Sequence, residues 1–152
     1  MIDDEVITGF GRTGSWFCCE QLGLVPDLLT FAKAFTSGYV PMGGVISKTH
    51  IANALPILMD IRTFSNHAVG CAAALANLQL LQREGLVERA KEMGGYLMDS
   101  LQECQRHTIV GDIRGIGLWC AIEFISDKKQ KSLFLENKNP AVWIANYGKK
   151  MG

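Results

Sequence analysis

Hydrophobic and polar positions alternate with a helical period over residues 68–104 of the chain. Apolar side chains recur there at steps of three and four, which predicts a long helical stretch. Gly85, or the pair Gly94–Gly95, is placed to interrupt it, since glycine weakens helices. The first half is rich in alanine and poor in charge. We therefore expect it to be buried on most sides, and the second half to expose a charged face.

Short apolar runs predict strands on either side of this helical stretch. Residues 28–35 form an apolar run that indicates a buried strand, and residues 45–47 indicate a second one. Further along, residues 109–110 and 118–125 read as strand, turn and strand around a Gly-Ile-Gly turn. The sequence therefore predicts two groups of strands, separated by the long helical stretch.

Shorter helices are predicted between and after the strands. One covers residues 16–24, and another runs from Thr49 to Leu55, where Pro56 limits it. A last helix is expected after Asn139, which is a suitable N-cap and precedes a proline. The order of elements indicates an α/β chain that passes from one layered unit into a second, smaller one.

Composition excludes several classes of function. The 152 residues are 48% hydrophobic, and 15 basic residues balance 15 acidic ones. A neutral chain of this kind is not expected to bind nucleic acid, which requires a basic excess. No apolar stretch is long enough to cross a bilayer, and the acidic start does not resemble a signal peptide. We expect a soluble, cytoplasmic protein with no membrane partner.

Cysteine and histidine give no indication of a metal site. The five cysteines are irregularly spaced and mostly have apolar neighbours, and the three histidines are not spaced like metal ligands beside them. Reduced thiols that pack as small hydrophobic side chains are the better interpretation. No metal ligand is therefore predicted.

Lys33 is the most unusual charge in the sequence. It is the one charged residue of the apolar run 29–35, and strand alternation would place it on the same face as Leu29 and Phe31. A lysine that is neutral in apolar surroundings is a nucleophile towards carbonyl groups. The alternative is a lysine at the mouth of the sheet, with its amine in water.

Two further segments combine polar groups with apolar neighbours. Asp3, Asp4 and Glu5 stand beside apolar residues, where a buried carboxylate needs a cationic partner such as a protonated cofactor ring nitrogen. A solvated loop is the alternative. Residues 63–67, which begin with Thr63, precede the long helix. Their side chains could cap that helix, or hold a phosphate at its N-terminus.

Together these segments match a known family. The run Asp4–Gly14, Asp-Glu-Val-Ile-Thr-Gly-Phe-Gly-Arg-Thr-Gly, resembles the signature of the class III (ω-amino acid) aminotransferases, which depend on pyridoxal 5′-phosphate (PLP). The spacing from Asp4 to Lys33 is similar to that between the family's ring-nitrogen aspartate and its cofactor lysine. Further matches, in family order, are Ala32–Ala34, Ser37–Pro41, Thr63–His67 with Cys71–Leu78, and Ile113–Leu118.

The resemblance implies a role for each candidate residue. Lys33 would form the internal aldimine with PLP and later move a proton. Asp4 would pair with the protonated pyridine nitrogen and keep the ring an electron sink. Asp3 is the weaker choice for that partner, because only Asp4 has the family spacing to Lys33. Val6 would pack on the ring face. Thr63 would donate a hydrogen bond to the cofactor phosphate, usually that of the neighbouring subunit.

The resemblance also implies a fold and an activity. The chain is expected to be an internal fragment of a fold-type I PLP-dependent transferase. Residues 1–104 would belong to the large domain with its connecting helix, and 105–152 to the truncated start of the small C-terminal domain. The full homodimeric enzyme would move an amino group from an amine or ω-amino acid to a keto acid. The alternatives are other PLP chemistry, such as an aminomutase, or an inactive fragment that acts only in association.

Overall fold

The computed structural model of the chain describes residues 1–54 and 63–151. It divides into two compact units, each with its own sheet. The first comprises Met1–Gly94 with Gly117–Trp119, and the second comprises Gly95–Ile116 with Cys120–Gly152. Helices and strands alternate in both, so the predicted α/β class is confirmed. Within the described ranges, no helix combines the length and apolar character needed to cross a membrane.

A three-stranded sheet organises the first unit. Its strands are β1 (Ile2–Asp4), β2 (Leu28–Phe31) and β3 (Gly44–Ser47), in that spatial order. β1 and β2 are parallel, with Asp4 opposite Thr30, whereas β3 is antiparallel to β2. The carboxyl ends of β1 and β2 therefore meet at one edge of the sheet.

The helices of the first unit follow the predicted order. They are α1 (Cys18–Gln21), a 3₁₀ helix (Lys33–Thr36) that we call the lysine turn, α2 (Thr49–Ala54), α3 (Ala68–Arg83) and α4 (Leu86–Gln102). The unit boundary falls within α4. The prediction for Leu55 and Pro56, at the end of the second helix, lies outside the described residues.

Gly85 separates α3 from α4, as one of the two predicted breaks. Its φ of +61° is a left-handed conformation that favours glycine. The other candidate pair, Gly94–Gly95, lies inside α4 without breaking it. Gly94 instead permits a close approach, because a Cβ there would stand 2.4 Å from the Cα of Gly117. Glycine at position 94 is thus required by packing and not by helix termination.

The predicted strand over residues 28–35 is too long. β2 ends at Phe31, and the chain turns at Lys33, whose φ of +45° is incompatible with an extended strand. Lys33 therefore does not share a strand face with Leu29, which is buried within the sheet. The predicted helix over 16–24 is also too long, since α1 covers only Cys18–Gln21 before the chain turns.

Four phenylalanines form the aromatic core beside the carboxyl end of β2. Phe10 lies at the centre, with ring centroids 5.2 Å from Phe17, 5.6 Å from Phe31 and 5.2 Å from Phe35. Phe31 and Phe35 are themselves 4.8 Å apart in an edge-to-face arrangement. The cluster thereby packs the segment 9–14, which contains three glycines, against the end of β2 and the lysine turn.

The expectation that the alanine-rich first half of the helical stretch is buried on most sides is wrong for this chain. In α3 only Gly70 and Ala74 are buried, while Val69 is 63% and Leu75 is 58% exposed. In the described part of the first unit, the lysine turn packs against α3. Most of the apolar surface of α3 remains uncovered. α4 behaves as predicted, with Val87 and Ala90 buried opposite a charged face.

The second unit contains the other predicted strands. β4 (Val110–Ile116), β5 (Trp119–Asp127) and β6 (Ser132–Leu133) lie in that order. Two 3₁₀ helices (Glu103–Arg106 and Glu136–Lys138) flank this sheet, and the last helix is α5 (Pro140–Met151).

Asn139 caps α5 as the sequence predicted. Its side-chain oxygen accepts a hydrogen bond of 2.9 Å from the backbone N–H of Ala141. Pro140 then occupies the first helical position, where its missing N–H costs nothing.

Substitution of Gly117 by alanine is expected to destabilise the fold strongly. Gly117 has a φ of +58°, and a Cβ there would lie 2.3 Å from the backbone carbonyl carbon of Thr13. Gly23 has a similar φ of +63° but nothing within 4 Å of a Cβ, so it isolates the steric contribution. We expect Gly117→Ala to lower the free energy of unfolding by at least about 2 kcal/mol more than Gly23→Ala does. Equal effects in chemical denaturation would contradict this packing.

Candidate functional site

The parallel pairing of β1 and β2 brings Asp4 and Lys33 to the same edge of the sheet. Asp4 is the last residue of β1 and lies opposite Thr30 of β2. β2 ends at Phe31, and Lys33 begins the lysine turn directly beyond it. Carboxyl ends of parallel strands are where α/β sheets bind ligands. The two predicted catalytic residues therefore lie at the same edge of the sheet.

The Asp4 carboxylate is oriented by two hydrogen-bond donors. Its Oδ1 accepts a bond of 3.0 Å from the backbone N–H of Val6 and one of 3.3 Å from the hydroxyl of Thr30. Both bonds go to the same oxygen, and the residue is exposed. Within 1–54 and 63–151, no hydrogen bond to Oδ2 is found. The carboxylate is therefore held in place and can still accept a bond from a cation.

Asp3 lies in a different environment from Asp4. Successive side chains of a strand point to opposite faces of the sheet. The side chain of Asp3 lies beside those of Glu5 and Cys19, and one carboxylate oxygen of each acid and the Cys19 sulfur all lie within 4.8 Å of one another. Burial, with the negative charge of Glu5 as a smaller cause, raises the pKa of the Asp3 carboxyl. Asp3 thus lies beside a second carboxylate, whereas the side chain of Asp4 is exposed.

Glu5, the third acid of the cluster that the sequence indicated, is a buried structural residue. It is 1% exposed, and it accepts a 2.8 Å hydrogen bond from the backbone N–H of Cys19 and another from the hydroxyl of Thr8. The expectation that a buried carboxylate needs a cationic partner is wrong here, since neutral donors satisfy both oxygens. Thr8, three residues later in the sequence, was the signal available for this arrangement.

Lys33 presents its amine to solvent. The residue is exposed, and among the residues that the structure describes its Nζ forms no hydrogen bond or ion pair. It belongs to the wall of a pocket of about 520 Å³, whose other lining residues include Thr36 and Val40 but not Asp4. Lys33 is thus exposed just beyond the end of β2, and its role towards a cofactor stays a prediction. The amine is accessible to a carbonyl compound.

Thr36 is the last residue of the lysine turn. It is 2% exposed, and its hydroxyl donates a hydrogen bond of 2.5 Å to the carbonyl of Val40. This bond ties the turn to the segment that lines the pocket, so the pocket wall and the lysine turn are held together.

The other two candidate residues are Val6 and Thr63. Val6 is half-buried directly after Asp4. Thr63 is exposed in the turn that precedes α3, and no hydrogen bond joins it to the other three candidate residues. The cap of α3 is His67, whose Nδ1 accepts a 3.3 Å bond from the N–H of Gly70. Residues 63–67 therefore do cap the helix, but through His67 and not through the hydroxyl and amide side chains expected for this role. The phosphate role of Thr63 stays a prediction.

Comparison with known proteins identifies the family. The sequence model of the class-III aminotransferases matches residues 1–151, so the chain belongs to this family. Putrescine–pyruvate aminotransferase of Pseudomonas aeruginosa is 42% identical over 140 residues, which cover 90% of this chain and 31% of that protein. Diaminobutyrate–2-oxoglutarate transaminase of Halomonas elongata is 43% identical over 143 residues, covering 88% and 30%. The chain thus spans about a third of the length of these relatives.

Solved structures show the same relationship. An (S)-enantioselective omega-transaminase from Thermomicrobium roseum superposes with a TM-score of 0.84 at 45% identity, over 90% of this chain and 31% of that one. A Bacillus anthracis aminotransferase superposes with a TM-score of 0.94 at 38% identity, over 99% of this chain and 35% of that one. The fold is therefore that of part of a transaminase, as predicted.

The buried thiol of Cys19 gives a test of the carboxylate cluster. Burial and the charge of Glu5 raise the pKa of Cys19 to about 11, because both disfavour the thiolate. Glu5→Gln removes that charge, so the pH midpoint for alkylation of Cys19 should fall. Glu20→Gln in α1 is the matched control and should leave the midpoint unchanged. The alkylation rate of Cys19 is measured as a function of pH by peptide mass spectrometry. An unchanged pH midpoint in Glu5→Gln would contradict the placement of the Glu5 carboxylate beside Cys19.

Proposed function

We propose that this chain forms part of a PLP-dependent transaminase that moves an amino group from an amine or ω-amino acid to a keto acid. The observation that carries the proposal is the accessible amine of Lys33 at the same sheet edge as the oriented carboxylate of Asp4. Among relatives, the two named above are an aminotransferase and a transaminase that use keto acids. This favours transamination over an aminomutase reaction.

The candidate residues fit the chemistry of PLP. The cofactor carries an aldehyde, a ring nitrogen that becomes cationic and a phosphate group. Lys33 offers an amine for the aldehyde, Asp4 offers an anion for the nitrogen, and the Thr63 hydroxyl precedes a long helix whose N-terminus favours anions. When bound, PLP supplies an electron sink for carbanion chemistry.

Lys33 would perform the covalent and proton-transfer work. Its Nζ is the group that would hold the cofactor covalently, through the aldehyde. The same amine would hold and move a proton beside the substrate carbon. Its position in a turn, with no competing ion pair among the described residues, leaves the amine free to move between these tasks.

Asp4 would hold a proton on the ring nitrogen. A carboxylate at hydrogen-bond distance stabilises the protonated nitrogen through a charge-assisted hydrogen bond. The donors on Oδ1, the N–H of Val6 and the hydroxyl of Thr30, fix the carboxylate before the cofactor arrives. Little reorganisation is then needed. The side chain of Val6 would contact the ring face.

The remaining expectations concern the whole protein. We propose that it is a cytoplasmic homodimer, in which Thr63 donates to the phosphate of the cofactor in the neighbouring subunit. Residues 1–104 would then belong to the large domain and 105–152 to the small one. The uncovered apolar side of α3 supports association, because Val69 and Leu75 would otherwise remain in water.

Replacement of Lys33 tests the covalent role. The substitution Lys33→Arg is made in the whole protein that contains this sequence. Arginine keeps the positive charge but cannot bond covalently to PLP. We expect transaminase activity to fall by about 10²-fold or more. Borohydride reduction followed by peptide mass spectrometry should find no cofactor at position 33. Lys48→Arg, which keeps the charge of a 2.8 Å ion pair with Asp27, is the control. It should retain both the transaminase activity and the cofactor at position 33. Cofactor fixed at another lysine in the unaltered protein would refute the assignment.

Replacement of Asp4 tests the ring-nitrogen role against its neighbour. Asp4→Asn preserves the size and the acceptor atom but removes the charge. We expect PLP to bind about 10- to 100-fold more weakly, since a hydrogen bond to a charged group contributes about 1.5–3 kcal/mol. Asp3→Asn should have a smaller effect on the PLP dissociation constant. A larger effect of Asp3→Asn would reassign the ring-nitrogen partner.

A further inference from the structure

The backbone at Lys33 is strained. Its φ of +45° lies in the left-handed region, which costs a residue with a Cβ about 1–2 kcal/mol. Strain of this kind persists only where surrounding contacts hold it. The lysine turn must therefore be fixed by neighbouring groups.

Asn77 of α3 supplies one of those contacts. Its Nδ2 donates hydrogen bonds of 2.8 Å to the carbonyl of Ala34 and 3.1 Å to the carbonyl of Phe35. A side-chain amide nitrogen has two N–H donors, and here both are used on neighbouring carbonyls. Because both partners are acceptors, the orientation of the amide is settled by the contacts themselves. The residue is half-buried, which limits competition from water.

The other side of the lysine turn is held by aromatic packing. The ring of Phe35 lies 4.8 Å from that of Phe31 and 5.2 Å from that of Phe10. The turn is thus clamped between the phenylalanine cluster and Asn77. Lys33 itself forms no side-chain hydrogen bond within the described part of the chain, so the direction of its amine depends on the backbone of the turn.

We propose that Asn77 is a positioning residue for Lys33: by holding the carbonyls of Ala34 and Phe35, it keeps the lysine turn in the conformation that aims the amine at the cofactor aldehyde. The inference rests on the proposed covalent role of Lys33. Asn77 acts through the backbone and touches neither cofactor nor substrate. Its loss slows covalent attachment of PLP more than it weakens substrate binding.

Two variants of the naturally produced protein test this role. Asn77→Leu has a similar size and no donor, and Asn77→Asp has the same shape but places a carboxylate oxygen against two carbonyls. Gln79→Leu, at an exposed position of the same helix, is the matched control. The rate of PLP attachment is measured by borohydride trapping at timed intervals, with peptide mass spectrometry of the Lys33 peptide.

Asn77→Leu should slow attachment at Lys33 by at least about tenfold, because two hydrogen bonds are lost. It should also lower kcat while KM for the amino donor changes little, and Gln79→Leu should match the unaltered protein. A purely structural role would lower the melting temperature but leave the rate per folded molecule unchanged. An unchanged rate, or a loss confined to KM, would overturn the inference.

The pH dependence of Asn77→Asp provides a second, independent readout. A protonated carboxyl can donate one hydrogen bond to a carbonyl, whereas the ionised form cannot. The ratio of its attachment rate to that of the unaltered protein should therefore rise as the pH falls. A flat ratio would overturn the inference even if Asn77→Leu failed to fold. If the unaltered protein itself does not attach PLP at Lys33, the proposed function fails instead.

Discussion

The parallel pairing of β1 with β2 is the constraint on which the site depends. It aligns Asp4 with Thr30, so that the chain leaves both strands at one edge of the sheet. Asp4 and Lys33, which are far apart in sequence, thereby lie at the same sheet edge, and α/β sheets bind ligands at edges of this kind. The same pairing lets Thr30 donate to the Asp4 carboxylate, which links the register of the strands to the orientation of the charged group.

The lysine turn shows how local strain is compensated by tertiary contacts. A left-handed lysine is unfavourable by itself, and the chain adopts it because Phe35 packs into the aromatic cluster while Asn77 binds the adjacent carbonyls. Buried Glu5 has a comparable role at the end of β1, where it joins the strand to the start of α1 through Cys19. Neutral donors stabilise this carboxylate, so the exposed Asp4 is the acid available to a cation.

Much of the fold and the family could be predicted from the sequence. Periodicity predicted the long helical stretch, and glycine predicted a break at Gly85 or at Gly94–Gly95, of which Gly85 is the one observed. The motif around Asp4 with its spacing to Lys33 predicted the family. The end of β2 could not be predicted, because residues 28–35 form one mostly apolar run and the turn at Lys33 is imposed by packing. The exposure of α3 was missed for a related reason, since an apolar face does not reveal which surface covers it.

Lys33 and Asp4 are proposed to act on two ends of one cofactor. The most direct test is a crystal structure of the whole protein that contains this sequence, soaked with PLP and reduced with borohydride. We expect continuous density from Lys33 Nζ to the cofactor, with an Asp4 carboxylate oxygen about 3 Å from the ring nitrogen. Cofactor attached to a different lysine, or a ring nitrogen paired with another group, would contradict it.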